Sequence, residues 1–488
     1  MKKTLHKIIR KTPFIDYFGD LNKEVETIEY NSKKCKPNSC FVAIKGINQD
    51  GNKFIDDAIH NGAIAIITDE EIDKIKMKKN ITYIFVDDSR KALADISHSF
   101  YDNPSFKLKV IGITGTNGKT TTTFILKSIL EEAHKKVCII GTTGIYINDT
   151  KLDSNLTTPE SSDLAELFYE LNLKNIEYVV MEVSSIALVM NRVRNIDFKV
   201  AAFLNLTQDH LDFHKTMENY VNAKKLLFDK LNYNAIAVVN DDSEFSNYII
   251  SQCGTNRIFK VGHNNNCEYK IIKEELENSG SKFLLYTNGK IIEATTNLYG
   301  TFNIENSAMA IAIADLLNIS VSNIQKGLLK TTGAPGRMQK TILKNQAIGL
   351  VDYAHTPDAL EKALLTCKNQ LKNSNKLICV FGCGGNRDKT KRPLMGKIAS
   401  DLSNYIILTN DNPRFEEPIQ IIEDIKKGIT DTSNVEVILD REKAIEKAIK
   451  ISQKDDIILI AGKGHENYQI IGDKKIYFDD NEILKKYT

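Results

Sequence analysis

The sequence carries no marked excess of charge of either sign. Its 65 Lys and Arg residues nearly balance 63 Asp and Glu residues, which leaves a formal net charge of +2. No long run of one sign compensates, so a chain built around a basic nucleic-acid surface is excluded. Long apolar runs are also missing, since nothing approaches the ~18 consecutive apolar residues of a membrane span. We therefore expect no nucleic-acid partner and no membrane span.

Signals for secretion and for disulfide bonding are missing as well. The first residues, MKKTLHKIIRK, are basic but lack the apolar stretch and the small-residue cleavage site of a secretory signal. The eight cysteines are scattered, and Cys379 and Cys383 lack the CxxC spacing of a metal site. Buried free thiols are therefore favoured over a metal site, and a reducing cytoplasm is the expected compartment.

What the sequence does contain is an ordinary globular composition, with 488 residues, 42% hydrophobic and 26% charged. At ~150 residues per domain, this length predicts about three domains. Apolar, β-branched runs alternate with helical patterns, which is typical of parallel sheets with crossover helices. Turn-rich segments near residues 101–104 and 333–336 predict domains at 1–104, 105–333 and 334–488.

Predicted strands recur through all three domains, at residues 40–44, 63–68, 81–86, 110–114, 137–140, 178–183, 200–204, 235–239, 377–381, 405–408, 435–439 and 457–460. Residues 282–294 are predicted to form a hairpin around an Asn-Gly turn. Polar, glycine-rich segments follow several of these strands. Because ligands of open α/β sheets bind beyond the carboxyl ends of the strands, we expect a site in a cleft between two domains.

The segment 111–120 has the features of a phosphate-binding loop. It follows a predicted strand and precedes a predicted helix over 121–131. In such a loop, backbone N–H groups hold phosphates, Lys119 reaches the β- and γ-phosphates, and Thr120 ligates Mg²⁺. The usual motif has glycine where this chain has Ile113. A phosphate loop is nevertheless favoured over a glycine-rich turn in a Rossmann-like unit.

Other polar segments suggest a functional role only when they are considered together with that loop. Residues 205–214 contain two His and two Asp after a strand, which fits an ordinary polar loop equally well. Next to a phosphate loop they become candidates for a second Mg²⁺, together with Glu182 at another strand end. Taken alone, Lys224 is expected to be a helix-surface lysine, and the segment 351–357 is expected to be a turn leading into a helix over 358–368.

Ten segments resemble, in order and over nearly the whole chain, the Mur ligase family. They are TGTNGKT (114–120), TTPES (157–161), MEVSS (181–185), NLTQDHLDFH (205–214), YGTFNIEN (299–306), GRMQ (336–339), DYAHTPD (352–358), GCGGNRDKTKRP (382–393), DNPR (411–414) and GKGHE (462–466). Within the family, the resemblance is to the ligases that add the third residue of the peptidoglycan stem peptide. It implies a three-domain α/β architecture, with a central P-loop ATPase-like parallel sheet between a UDP-binding N-terminal domain and a Rossmann-like C-terminal domain for the amino acid.

The resemblance also implies roles for residues at matching positions. Residues expected to bind ATP are Gly115, Thr116, Asn117, Gly118, Lys119, Thr120, Thr121, Asn303, Arg337 and Asp352. Residues expected to bind the UDP-muramoyl peptide are Ser32, Ile47, Asn48, Gln49, Thr157, Thr158, Ser184 and Arg192. Residues expected to bind the amino acid are Arg387, Asp411, Asn412, Pro413, Arg414, Gly462 and Glu466. The implied catalytic residues are Lys119, Glu182, His210 and Lys224, and the implied metal ligands are Thr120, Glu182, His210 and Lys224 after carbamylation of that lysine by CO₂.

The implied reaction joins an amino acid to UDP-N-acetylmuramoyl-L-Ala-D-Glu with ATP and Mg²⁺, through an acyl phosphate, and the implied enzyme is a cytoplasmic monomer. Arg414 favours meso-diaminopimelate over L-lysine, because a guanidinium can bind the additional carboxylate with two hydrogen bonds. The other interpretation is that Arg414 pairs with Glu416 or Glu417 on the surface.

Several alternatives stay open at this stage. They are addition of L-lysine, a folylpolyglutamate synthase and, less favoured, a nucleotide switch without ligation. The chain also departs from the family pattern at Lys33, Leu156, Ile186 and Met190, where polar groups on the sugar side of the cleft are lost.

Overall fold

The structure is a computed structural model that describes residues 1–46, 49–72, 77–148, 150–154, 156–277, 280–371 and 374–488. Three sheets of five, eleven and six strands dominate it, and each lies within one of the three predicted domains. Helices cover much of the sheets, so many inner strands are buried on both faces and have continuous apolar runs. In β-strand Lys109–Thr114, Val110 packs into one apolar cluster, whereas Ile111 and Ile113 pack into another.

The N-terminal sheet has the order β2-β7-β6-β5-β4, and β2 is its antiparallel edge strand. A separate antiparallel pair is formed by β1 and β3. The strands are β1 (Lys3–Thr4), β2 (Asp16–Phe18), β3 (Glu24–Val25), β4 (Thr27–Glu29), β5 (Ser39–Ala43), β6 (Ala63–Thr68) and β7 (Thr82–Phe85). The α-helices are α1 (Leu5–Ile9), α2 (Ile55–His60) and α3 (Ser89–Phe100).

The central sheet has the order β11-β10-β9-β12-β8-β13-β14-β15-β16-β17-β18, and the seven strands from β9 to β16 in this order are parallel. Its strands are β8 (Lys109–Thr114), β9 (Val137–Gly141), β10 (Gly144–Ile147), β11 (Thr150–Leu152), β12 (Tyr178–Glu182), β13 (Phe198–Phe203), β14 (Ile236–Asn240), β15 (Ile258–Gly262), β16 (Tyr269–Glu277), β17 (Gly280–Thr287) and β18 (Lys290–Thr296). The helices are α4 (Lys119–Glu132), α5 (Ser161–Leu173), α6 (Ser185–Val189), α7 (Leu211–His214), α8 (Met217–Asp229), α9 (Ser246–Ile249), α10 (Thr301–Leu316) and α11 (Val321–Lys330). After β8 the chain continues to β9, which lies on one side of β8 in the sheet, whereas β13 lies on the other side. The carboxyl end of β8 is therefore the switch point, where α/β sheets bind ligands.

The C-terminal sheet has the order β19-β20-β24-β21-β22-β23, and β19 is its antiparallel edge. A hairpin of β25 and β26 lies apart from it. The strands are β19 (Gln339–Ile342), β20 (Ile348–Asp352), β21 (Leu377–Phe381), β22 (Tyr405–Leu408), β23 (Val435–Val437), β24 (Ile457–Ala461), β25 (Tyr468–Ile471) and β26 (Lys474–Tyr477). The helices are α12 (Pro357–Gln370), α13 (Lys391–Leu402), α14 (Pro418–Lys426), α15 (Arg441–Ile451) and α16 (Asp480–Lys485).

The predicted fold class is confirmed, and most predicted strands agree with the observed ones within about two residues at each end. The hairpin forms around Asn288 and Gly289, both with positive φ, as an Asn-Gly turn requires. One prediction is wrong in part, because Asp352 is the last residue of β20 rather than part of a turn. Thr356 then caps α12 by accepting a hydrogen bond from the backbone N–H of Ala359. The exact domain boundaries remain predictions.

Two further observations concern the cysteines and the helices. All eight cysteines lie among the described residues as free thiols, and seven of them are buried. Among the described residues, no helix combines the length and the apolar character that a membrane crossing requires.

Candidate active site

The phosphate loop forms the turn between β8 and α4. Gly118 has a φ of 87°, and a Cβ at this position would come within 2.3 Å of the side-chain oxygen of Asn306, so only glycine fits. The 14-residue helix α4 begins directly at Lys119. Nζ of Lys119 donates to the carbonyl oxygens of Gly115 and Thr116, at 2.8 and 2.9 Å. The free N–H groups of the first helical turn, with this ammonium above them, make an anion site suited to phosphates.

The segment after β13 holds the loop in shape. The side-chain oxygen of Asn205 accepts a hydrogen bond from the Asn117 N–H at 2.8 Å, and its amide donates to the Asn117 carbonyl at 3.1 Å. The Thr116 hydroxyl lies 3.0 Å from the Tyr220 hydroxyl on α8. Asn117 in turn donates to Asp358 at the start of α12, at 2.8 Å. The loop therefore contacts both the central sheet and the C-terminal domain.

Lys224 lies directly beneath the phosphate loop. Its side chain is buried, contrary to the expectation of a helix-surface lysine, because this face of α8 contacts the phosphate loop. Nζ donates to the Gly115 carbonyl at 2.9 Å and stands 4.6 Å from the centre of the Tyr220 ring. Burial and the neighbouring Lys119 charge hold the pKa of the Lys224 amine well below its usual value. A neutral amine is the form that can react with CO₂.

His210 and Glu182 lie on either side of this region. His210 has a left-handed backbone (φ 54°), and its ring stands 3.5 Å from the Asp209 carboxylate. Burial, followed by the charges of Lys224 and Lys119, lowers the pKa of His210, although Asp209 opposes the shift. Glu182 is buried at the end of β12 and accepts hydrogen bonds from the N–H and hydroxyl of Thr142, at 2.9 and 3.1 Å.

The predicted metal ligands supply the right chemistry without forming a protein cage. The described residues contain no group of three or more His, Cys, Asp or Glu side chains that could hold a metal ion. Thr120 and Glu182 nevertheless offer hard oxygen donors beside the phosphate loop, and the hydroxyl of Thr120 is within 3.4 Å of the Arg337 guanidinium. This donor set fits Mg²⁺, which proteins usually hold with one or two carboxylates plus substrate phosphates.

A pocket adjoins the loop between the central and C-terminal domains. It is lined by residues of both domains, among them Asn117, Asn303 and Arg337. Asp352 is buried at its wall and accepts hydrogen bonds from the N–H groups of Met338 and Ala354, at 2.7 and 2.8 Å. Burial raises the pKa of Asp352 although the nearby Arg337 opposes the shift. The pocket brings together predicted ATP contacts that lie far apart in the sequence.

The residues predicted to hold the muramoyl peptide form a continuous strip next to Glu182. The Thr158 hydroxyl donates to the Glu182 carbonyl at 2.9 Å and accepts from the Ser184 N–H at 3.1 Å. NH1 of Arg192 donates to the Thr158 carbonyl at 3.2 Å, and the Thr157 hydroxyl lies 3.2 Å from that of Thr142.

The residues predicted to contact UDP are in the N-terminal domain. Ser32 is buried, and its carbonyl accepts a hydrogen bond from Asn61. The Gln49 carbonyl closes a turn with the Gly46 N–H at 2.7 Å. Ile47 and Asn48, which were also predicted to contact UDP, lie outside the described residues.

Most of the residues predicted to bind the amino acid meet at the carboxyl edge of the C-terminal sheet. NH1 of Arg414 donates to the carbonyl of Gly385 at 2.8 Å, and it lies 3.4 Å from that of Asn412. Glu416, the predicted surface partner of Arg414, instead pairs with Arg392 and Lys389, at 3.0 and 3.1 Å. Within the part of the chain that the structure describes, Arg414 has no carboxylate partner.

The other residues predicted to bind the amino acid have different surroundings. Asp411 lies against Gly462, where an added Cβ would come within 2.7 Å of the carboxylate, and Pro413 leads into Arg414. Glu466 accepts a hydrogen bond from the Asn412 amide at 2.8 Å. Arg387 is 57% exposed and lies 3.8 Å from Asp212 of the central domain.

The sequence reasoning missed one residue of this cluster. Lys463 is fully buried, and its Nζ donates to the Glu466 carboxylate at 3.0 Å and to the Asn412 side chain at 3.2 Å. Flanking glycines made it resemble a turn residue. The lysine between two glycines just after the end of β24 is the signal that could have identified it.

Comparison with known proteins finds related domains along the chain. The description "Mur ligase family, catalytic domain" matches residues 24–101, "Mur ligase middle domain" residues 113–314, and "Mur ligase, glutamate ligase domain" residues 336–464. The chain is 43% identical over 485 residues to UDP-N-acetylmuramoyl-L-alanyl-D-glutamate--2,6-diaminopimelate ligase of Clostridium tetani, covering 99% of this chain and 98% of the relative. It is 44% identical over 471 residues to the protein of that name from Fusobacterium nucleatum, covering 96% and 94%.

A solved structure named for the same ligase matches with a TM-score of 0.71 and 31% identity, over 100% of this chain and 99% of that one. MurF from Acinetobacter baumannii, at 20% identity and a TM-score of 0.68, shares the fold over 95% of this chain and 96% of its own. The chain belongs to the Mur ligase family.

Proposed function

We propose that the protein uses ATP to join meso-diaminopimelate to the D-Glu residue of UDP-N-acetylmuramoyl-L-Ala-D-Glu, releasing ADP and phosphate in peptidoglycan precursor synthesis. The observation that carries this proposal is the meeting of two sites in one cleft. The phosphate loop of the central sheet touches Arg337 and Asp358 of the C-terminal domain, whose own strand ends carry the Arg414 cluster. The relatives named above support the choice of substrates.

The chemistry of amide formation explains why a phosphate loop belongs in such a site. A carboxylate is a poor electrophile, so one of its oxygens first attacks the γ-phosphorus of ATP, which forms an acyl phosphate and ADP. The amine of the incoming amino acid then attacks the acyl carbon, and phosphate leaves with the carboxylate oxygen. Lys119 and Arg337 are placed to neutralise charge on the transferring group, and closure of the cleft excludes water from the acyl phosphate.

Mg²⁺ would be held by Thr120 and Glu182 together with substrate phosphates, and it would supply charge neutralisation at those phosphates. We further propose that Lys224 becomes carbamylated, with His210 beside it. Its buried amine lies at the Gly115 carbonyl, within reach of the loop that binds phosphates. A carbamate would replace this amine by a group that offers oxygen ligands.

The choice of diaminopimelate over L-lysine rests on Arg414. The two amino acids differ by one carboxylate at the far end of the side chain, and a cation must meet that group where it arrives. Arg414 is held at the strand ends by two carbonyl groups and has no carboxylate partner among the described residues. Asn412 and Glu466, which touch each other at 2.8 Å, are placed to bind the polar groups of the amino acid.

A folylpolyglutamate synthase is the second candidate, and the N-terminal domain argues against it. The Mycobacterium tuberculosis enzyme of that name shares the fold at 14% identity and a TM-score of 0.63, but covers only 76% of this chain. The eight free cysteines support a cytoplasmic location, because reducing compartments keep thiols unpaired. A single chain contributes every site described above, so we propose that the monomer is active.

Omission of single substrates tests the proposed function. ADP should form only when ATP, Mg²⁺, UDP-N-acetylmuramoyl-L-Ala-D-Glu and meso-diaminopimelate are all present, and L-lysine should substitute poorly. Release of ADP with a folate and glutamate, in place of the last two, would favour the second candidate. Slow hydrolysis that needs neither co-substrate would indicate a nucleotide switch.

A further inference from the structure

A buried carboxylate joins an arginine of the N-terminal domain to an arginine of the central domain. Glu160 lies 3.3 Å from NH1 of Arg90 and 2.9 Å from Nε of Arg192, and its side chain is only 8% exposed. Arg90 is on α3, and Arg192 follows α6. Glu160 occupies the N-cap position of α5, but its side chain makes no capping hydrogen bond. Its carboxylate is therefore directed to the two arginines.

The two arginines lead from Glu160 to different parts of the cleft. Nε of Arg90 donates to the Lys45 carbonyl at 2.9 Å, directly before Gly46, whose N–H donates to the Gln49 carbonyl. Gln49 is one of the residues predicted to contact UDP. NH1 of Arg192 donates to the Thr158 carbonyl at 3.2 Å, in the strip predicted to hold the peptide. One carboxylate thus connects the two ends of the expected substrate site.

The charge balance of this group suits an anionic ligand. Two guanidinium groups face one carboxylate, and their side chains are 14% and 10% exposed, so one positive charge remains in a poorly solvated region. Loss of the carboxylate would leave two like charges close together and free both side chains to move. NH1 of Arg90 donates a hydrogen bond to Glu160, whereas Nε of Arg192 is held there by ion pairing and makes no hydrogen bond among the described residues. The other N–H groups of a guanidinium held on one edge remain available to a ligand.

We propose that Glu160 is a positioning residue, which fixes Arg90 and Arg192 so that the nucleotide end and the peptide end of one anionic substrate are recognised by a single rigid unit. The inference rests on the proposed function, because only a substrate that carries both a nucleotide and a peptide reaches both arginines. Glu160 itself does not touch the reacting atoms. Its effect should therefore appear in the binding of that substrate and not in the use of ATP.

The test compares Glu160→Gln with a matched control, Asp163→Asn. Asp163 lies one turn further along α5 and also bonds to the N-terminal domain, through the Tyr30 hydroxyl at 2.8 Å, but it does not touch either arginine. KM for UDP-N-acetylmuramoyl-L-Ala-D-Glu, for ATP and for diaminopimelate is measured for each variant, together with Tm. Because small misplacements of binding groups are costly, Glu160→Gln should raise KM for the nucleotide-peptide about tenfold or more. KM for ATP should change less than about twofold, and Asp163→Asn should leave all three constants near those of the wild type.

Three results would overturn the inference: an unchanged KM for the nucleotide-peptide, an equal rise in all three constants, or an equal effect of Asp163→Asn. If Glu160→Gln does not fold, Arg90→Lys provides the second test, because it keeps the charge but loses the hydrogen bond to Lys45. It should raise KM for the nucleotide-peptide selectively, and no change would refute the inference. Failure of the proposed function would look different, since the wild type would then not release ADP with this substrate at all.

Discussion

Replacing Arg414 by alanine is expected to remove most of the preference for an amino acid with a second carboxylate. The guanidinium is held by the carbonyl groups of Gly385 and Asn412, and Glu416 is already paired with Arg392. The backbone of Arg414 has a φ of 54°, which is unfavourable for any residue with a Cβ. Alanine carries the same backbone cost as arginine, so the variant reports on the side chain.

The magnitude follows from the burial of the contact. Removing one partner of a buried, hydrogen-bonded charge pair costs roughly 2–5 kcal/mol. Since 1.4 kcal/mol is about tenfold in an equilibrium constant, kcat/KM for meso-diaminopimelate should fall at least about thirtyfold. L-Lysine never uses this contact, so its kcat/KM should change little. A surface pair with a carboxylate, in contrast, would be worth only about 0–1 kcal/mol.

The assay measures ADP release with each amino acid at saturating ATP and nucleotide-peptide. Lys389→Ala is the matched control, because it removes one positive charge from the same region but only from a pair with Glu416. That control should lower kcat/KM for diaminopimelate little. An equal loss for both amino acids in Arg414→Ala, or equal use of the two by the wild type, would refute the assignment of Arg414.

Two further predictions concern buried ionisable groups. Lys224→Ala should lose most ADP release while the protein stays folded. Added small carboxylates should restore part of the activity by occupying the place of the carbamate. Full activity in the variant would show that this lysine has no part in the mechanism. Glu29 has a pKa raised from 4.5 to about 7, chiefly by burial, so the folded state holds a proton that the unfolded state loses. Its contribution to stability is present below about pH 4.5 and is lost as the pH rises through 7. Glu29→Gln should therefore raise Tm relative to the wild type at pH 8 and change it little at pH 4.5, and an equal shift at both values would contradict this.

The sequence was informative where a strand is buried on both faces. Strands such as Ala63–Thr68, Leu377–Phe381 and Tyr405–Leu408 have the predicted bounds, because continuous apolar runs leave no other explanation. Several edge strands, unlike β18 and β23, were not predicted. Thr150–Leu152, for example, is exposed along its whole length and has no apolar pattern.

The position of the site could be predicted from the sequence better than the contacts that its residues make. Glycine and polar residues after strands indicated the carboxyl edge of two sheets, and the phosphate loop, the pocket beside it and the Arg414 cluster lie there. The burial of Lys224 could not be predicted, because its partner, the Gly115 carbonyl, is 109 positions away. The same holds for Glu160, whose partner Arg90 belongs to another domain and is 70 positions away.

The central claim is that ATP activates the glutamate carboxylate by phosphorylating it, and the most direct test follows an oxygen atom. The glutamate carboxylate of UDP-N-acetylmuramoyl-L-Ala-D-Glu is labelled with ¹⁸O, and the phosphate released during ligation to diaminopimelate is analysed by mass spectrometry. An acyl phosphate passes one carboxylate oxygen to phosphate when the amine displaces it, so the phosphate should carry one ¹⁸O for each peptide bond formed. Unlabelled phosphate released in step with the peptide product would contradict the account.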